Sequence, residues 1–162
     1  MLAIGGSSAG AKPKIIVQIN DTDEIIHGSQ QLQKGYKHFI VKFPSANDAQ
    51  EIGKLEYIYS QMAHNAKIDI PTTKLLRTQR NSYFATKRFD RNKDARVDIH
   101  LVHSDFRLPS LDYDDLLSLA LHLTKDMNEA LKMFRLACFN LFTHNRDNHA
   151  KNFSYMLDEN SR

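Results

Sequence analysis

The chain has little of several things. Cys138 is its only cysteine, so no disulfide can form within it. Cys138 lies in an apolar run and reads as a small core residue, which suits a reducing, cytoplasmic location. No apolar stretch approaches the roughly 18 residues a bilayer span needs, so no membrane partner is expected. Before the first glycines only Leu2 to Ile4 are apolar, too short for a signal-peptide core. The net charge of +3 is small and scattered, which argues against direct nucleic-acid binding. Repeats and low-complexity segments are absent. What remains is a 162-residue chain, 41% hydrophobic and 25% charged, long enough for one compact domain or most of one.

The most informative stretch is Thr143–Tyr155, THNRDNHAKNFSY. An apolar helical run, Leu131 to Phe142, precedes it, and the alternating Phe153, Tyr155, Leu157 follow. A polar loop between rigid elements is a common seat of catalytic groups. Asp147 and Asn152 have the D-x4-N spacing of kinase catalytic loops, where the Asp accepts the proton of the attacked hydroxyl and the Asn binds magnesium. The same residues also fit a polar turn with an Asx cap. His144, Asp147 and His149 together would suit a metal-dependent phosphohydrolase, although they crowd one loop.

Taken in order, the chain opens with GGSSAGAKPK, residues 5–14. Gly5, Gly6 and Gly10 allow close approach of backbone N–H groups to an anion, and Lys12 and Lys14 add charge. Walker A spacing is absent, and a flexible tail is the plainer alternative. Ile15, Ile16, Val17 and Ile19 predict a strand. Asn20–Ser29 reads as a solvated hairpin tip, its DTDE lacking the rest of a calcium loop. Tyr36–Phe43 predicts a strand ending at Pro44. Lys42 within it either snorkels from a sheet edge or holds ATP phosphates.

Residues 47–65 predict a helix capped by Asn47, with Gln50 at the capping-box position. Ile52, Leu55, Ile58, Tyr59 and Met62 form its apolar face. Glu56 lies beside that face, as a surface residue or as an inward partner for Lys42, within salt-bridge reach of about 4 Å. Residues 71–91 predict a hairpin turning at Arg77–Ser82 and running on through Lys87, Arg88, Phe89 and Asp90. Val97–Val102 alternates as a short strand, with His100 and His103 facing solvent. A helix from Leu111 to Lys125 follows. Another, capped by Asp126 with Glu129 three later, runs from Met127 to about Thr143. The last is apolar almost all round and predicts a central buried helix.

The order of these parts is that of a kinase: glycine loop, strand with lysine, helix with glutamate, hairpin, helices, D-x4-N. The segments THNRDNHAKNFSY, YFATKRFDR, HFIVKFP and SSAGAKPK also resemble the HipA family of bacterial serine/threonine kinases, toxins of type II toxin–antitoxin pairs. The resemblance spans about residues 5 to 160. It implies an α+β, protein-kinase-like two-lobed fold. Residues 1–91 would form the β-rich nucleotide lobe with one αC-like helix, and 92–162 the start of the helical lobe.

By the resemblance Asp147 is the catalytic base, Asn152 binds Mg2+, and Lys42, partnered by Glu56, holds the ATP phosphates. Phe89 lies against adenine with the backbone of Lys87 nearby, and Asp90 hydrogen-bonds the ribose. The Ser7–Lys14 loop, with Gly10 and Lys14, covers the phosphates. The family's loop carries a serine that becomes phosphorylated. Here Ala9 precedes Gly10, so Ser7 and Ser8 are offset candidates. The family's second magnesium-binding Asp, in a Y-D segment, has no counterpart before Arg162, and Asp158 is a poor substitute. The chain is therefore expected to be the central piece of a kinase, weakly active or inactive alone. The implied partners are a protein substrate, such as an aminoacyl-tRNA synthetase or another translation factor, and a cognate DNA-binding antitoxin. A non-catalytic kinase-fold module that holds nucleotide or antitoxin is the alternative.

Overall fold

The structure is a computed structural model that describes residues 13–29, 31–92, 95–96, 99–101, 112–145 and 154–156. In chain order the elements are β1 (Lys14–Asn20), β2 (Ile25–His27), β3 (Tyr36–Lys42), α1 (Ile52–Asn65), β4 (Thr73–Arg77), β5 (Ser82–Lys87), β6 (Arg91–Asn92), β7 (Ala95–Arg96), β8 (Ile99–Leu101), α2 (Tyr113–Thr124), α3 (Met127–Phe142) and β9 (Ser154–Met156). The fold is α+β, as the sequence leads one to expect. Two compact units result: Met1–Met62 with Pro71–Ala95, and Ala63–Ile70 with Arg96–Arg162. Among the described residues no helix is long and apolar enough to cross a membrane.

The first unit is built on a five-stranded sheet in the order β2-β1-β3-β5-β4, with every pair antiparallel. Alternation sorts its side chains. Val17 pairs with Phe39, and Val41 with both Ile15 and Ala85, which brings the β-branched and aromatic residues to one face. There Val17, Ile19, Phe39, Val41 and Ala85 are buried, with Phe43 and Tyr83 packed against them. The last two rings meet at 5.0 Å between centroids. Burying a side chain the size of Ile19 or Phe39 contributes about 1.5–3 kcal/mol.

The stretch after β1 differs from the expected solvated tip, because it contains β2. Ile25 and Ile26 pair with Ile19 and Gln18, adding a strand at the sheet edge. The turn is tighter than expected because the Asn20 side chain builds it: Oδ1 accepts from Thr22 N at 3.0 Å and Glu24 N at 2.9 Å. Gln18, 2% exposed, has its amide satisfied. It donates to Gln31 O at 2.7 Å and accepts from Gln33 N at 2.8 Å, as a buried polar group must.

Helix α1 departs from expectation at both its start and its face. It begins at Ile52 rather than beside Asn47. Asp48 Oδ2 instead closes a turn by accepting from Ser45 N and Oγ, both at 2.8 Å, and Gln50 donates to Asn81 Oδ1 at 3.4 Å. Leu55, Ile58, Tyr59 and Met62 are 48%, 53%, 39% and 45% exposed. The covered stripe is small and polar: Gly53, Ser60 and Ala63 are buried and Glu56 is half-buried. The reason is close approach. A methyl group on Gly53 would overlap the Ser82 carbonyl oxygen and lie 3.2 Å from Phe84 N. Ser60 Oγ sits 2.9 Å from Thr73 Oγ1. Bulky side chains could not face the sheet at that separation.

The second unit contains α2 and α3. Asp112 caps α2 through a capping box with Asp115. Asp126 caps α3 by accepting from Asn128 N at 2.8 Å, while Glu129 pairs instead with Lys132 at 2.6 Å. Leu116 and Ala120 are buried on α2, and Ala130 and Asn140 on α3. The expected burial of α3 on every side is not observed. Leu131, Phe134, Leu141 and Phe142 are exposed, since a helix packed on one side by α2 keeps its other faces open. Strands β8 and β9 pair antiparallel, with His100 opposite Tyr155.

Candidate functional site

Lys42 closes β3, and sheet register fixes its neighbours. It lies opposite Lys14 on β1 and opposite Phe84 on β5. Its Nζ stands 5.3 Å from the centre of the Phe84 ring, within cation–π range. From α1, Glu56 Oε2 reaches Lys42 Nζ at 3.4 Å. The expected Lys42–Glu56 contact is therefore present. It is an ion pair rather than an aligned hydrogen bond, because Glu56 Oε2 is shut off from water and receives no hydrogen bond.

Lys14 stands across from Lys42. Burial, and then the nearby Lys42 charge, push its ammonium pKa below the usual lysine range. Lys42, paired with Glu56, and Lys14 place two ammonium groups near one another on adjacent strands, an arrangement chemically suited to an anion such as a phosphate.

Beyond β5 the chain leaves the sheet at a defined point. Lys87 N donates to Thr72 O and Arg88 N to His38 O, both at 2.8 Å. Phe89 is the next residue and is 50% exposed. Asp90 turns back on Arg88: Arg88 Nε donates to Asp90 Oδ1 at 2.8 Å, and a second guanidinium nitrogen reaches Oδ2. The guanidinium holds the Asp90 carboxyl below its ordinary pKa, against a smaller opposing effect of burial. Each Asp90 oxygen keeps further lone pairs for a ligand hydroxyl.

Ser7, Ser8, Gly10, Asp147, His149, Asn152 and Asp158 lie outside the described residues. The elements flanking the Asp147 segment are described. α3 ends in a Schellman motif. His144 takes the left-handed conformation at φ 54°. His144 N donates to Leu141 O at 3.2 Å, and Asn145 N to Asn140 O at 2.9 Å. β9 resumes at Ser154. Among the described residues no cluster of three or more His, Cys, Asp or Glu could hold a metal.

Sequence reasoning passed over two residues that shape these sites. Gly53 brings Glu56 to the sheet, and its signal was a glycine inside a helical pattern. Asn140 is a buried amide in an otherwise apolar run, the kind of departure that calls for explanation.

The family model for the HipA-like C-terminal domain matches residues 6–162. No curated protein matches the chain. Among solved structures, the chain is similar to one from Shewanella oneidensis MR-1, described as the toxin–antitoxin system HipA, HipB and its operator DNA complex. The TM-score is 0.65 at 21% identity, over 93% of this chain and 40% of that one. At that identity the likeness is one of fold, and this chain spans well under half the length of its neighbour. With the family match covering nearly the whole sequence, the chain belongs to the HipA-like C-terminal domain family.

Proposed function

We propose that this chain is the nucleotide-binding and catalytic-loop part of a HipA-like serine/threonine protein kinase, a toxin of the type II toxin–antitoxin class. It would transfer the ATP γ-phosphate to a protein hydroxyl. The observation that supports this most is the Lys42–Glu56 ion pair at 3.4 Å, set beside Lys14 on the neighbouring strand. A kinase needs this strand lysine held by a helix glutamate so that the ammonium meets the α/β-phosphates. Phe89, at the exit from the sheet, offers a half-exposed ring to adenine, and Asp90 a carboxylate to ribose. The resemblance assigns Asp147 as the base that accepts the hydroxyl proton. It assigns Asn152 to magnesium, whose charge would offset that of the phosphates during transfer. An antitoxin protein is the proposed regulatory partner.

Two measurements test this reading. Nucleotide binding, read with a fluorescent ATP analogue, should fall by about tenfold or more in Lys42→Ala. Transfer of radiolabelled phosphate to protein, if present, should vanish in Asp147→Asn with nucleotide binding retained. Binding unaffected by Lys42→Ala would overturn the nucleotide assignment. Binding without transfer would favour a second reading, a kinase-fold module that holds nucleotide or antitoxin without turnover.

A further inference from the structure

Asn140 makes three contacts at the end of α3. Its Nδ2 donates to the Tyr113 hydroxyl of α2 at 3.0 Å. Its Oδ1 accepts from Asn145 Nδ2 at 3.0 Å. Its backbone oxygen accepts from Asn145 N at 2.9 Å. The residue is 7% exposed, so removing either side-chain partner would leave a buried polar group unsatisfied. A Schellman motif by itself needs only the backbone bonds. The side-chain pair is additional, and it ties the residue two places before Asp147 to both helices.

We propose that Asn140 is a positioning residue for the chain where it leaves α3, acting through Asn145 and anchored by Tyr113. The inference rests on the kinase reading for what the segment does, and on the geometry alone for what Asn140 holds. Fixing Asn145 sets the direction in which the chain leaves α3. Under the kinase reading the proton-accepting base comes two residues further along the chain. Misplacement by about an ångström can cost on the order of a hundredfold in rate.

The test compares the full chain with Asn140→Leu, which keeps the volume and removes both amide links, and with Asn140→Asp. In Asn140→Asp the carboxylate still accepts from Asn145, and the Tyr113 hydroxyl can donate in reverse. Affinity for a fluorescent ATP analogue is measured with and without magnesium, and backbone hydrogen exchange is followed at residues 143–145. In Asn140→Leu the magnesium-dependent gain in affinity should shrink about tenfold, while magnesium-free affinity stays within about twofold. Exchange at residues 143–145 should quicken, and Asn140→Asp should recover more of both effects than Asn140→Leu.

Unchanged exchange overturns the proposal whatever the nucleotide data show. Faster exchange with an intact magnesium gain, or equal loss with and without magnesium, also overturns it, since Asn140 would then be only structural. If the unmodified chain shows no magnesium gain, the kinase reading fails. The functional half of the proposal falls with it, while the exchange data still decide whether Asn140 holds the chain after α3.

Discussion

Glu56 faces Lys42 at 3.4 Å from a helix stripe otherwise made of Gly53, Ser60 and Ala63. Its Oε2 is buried and accepts no hydrogen bond. A carboxylate oxygen placed so is costly to the fold, because desolvation is only partly offset by a partly exposed lysine. Stability alone does not account for Glu56, whereas under the proposed kinase reading orientation of Lys42 does.

We therefore expect opposite effects from Glu56→Met. Stability to urea should be unchanged or raised, by up to about 1 kcal/mol, as an uncompensated polar atom gives way to an apolar side chain of similar reach. Affinity for an ATP analogue should fall about tenfold, equivalent to about 1.4 kcal/mol. A variant that lost stability and kept its affinity would show that the ion pair serves the fold instead.

Gly53 gives a second test. In a free helix, glycine to alanine is favourable by about 0.8–1.0 kcal/mol. Here the added methyl would overlap the Ser82 carbonyl oxygen, which is backbone and cannot rotate away. We expect Gly53→Ala to destabilise the chain by about 1–3 kcal/mol, the range for overpacking. Nucleotide affinity should also drop, because α1 must lift and draw Glu56 away from Lys42. Urea denaturation and a nucleotide titration read the two effects. A stabilised variant would mean that α1 can move without cost.

These two residues show where the sequence was legible. The strands were, since IIVQI and HFIVKF are short apolar runs rich in β-branched residues, and the second buries alternate positions. The Lys42–Glu56 pair was legible too, through the order of elements. The buried face of α1 was not. Hydrophobic spacing marks the side a helix would bury against a distant, bulky partner, and says nothing of a close approach made at Gly53 and Ser60. The same limit applied to α3, whose apolar residues exceed what α2 can cover. Strand β2 was missed because three residues carry too little pattern, and its pairing depends on a turn built by one side chain, that of Asn20.

The Arg88–Asp90 fork should be visible in acid. Asp90 is held below its ordinary pKa of 3.8. A depressed carboxyl stabilises the fold above its unfolded pKa, and that contribution is lost as pH falls through the folded pKa. We expect the stability difference between the unmodified chain and Asp90→Asn to be full above about pH 5 and to narrow as pH drops below about 4. Denaturation midpoints from pH 7 to pH 3 measure it. A difference independent of pH would show that the carboxylate charge does not matter to this contact.

The last test turns on His144, exposed and left-handed at φ 54° at the C′ position of α3. That conformation costs a residue with a Cβ about 1–2 kcal/mol, and glycine avoids the clash while losing about 0.5–1 kcal/mol to its greater freedom when unfolded. His144→Gly should therefore stabilise the chain slightly, by up to about 1 kcal/mol, with the hydrogen bonds to Leu141 O and Asn140 O kept. Under the kinase reading nucleotide binding and its magnesium dependence are unchanged, because the side chain of His144 has no assigned role. Under the phosphohydrolase reading His144 is a metal ligand, and its loss would abolish tight binding of a divalent metal in the absence of nucleotide. Calorimetric titration with zinc and with magnesium, before and after the substitution, separates the two. Nucleotide-independent metal binding that disappears in His144→Gly would overturn the kinase assignment of this loop.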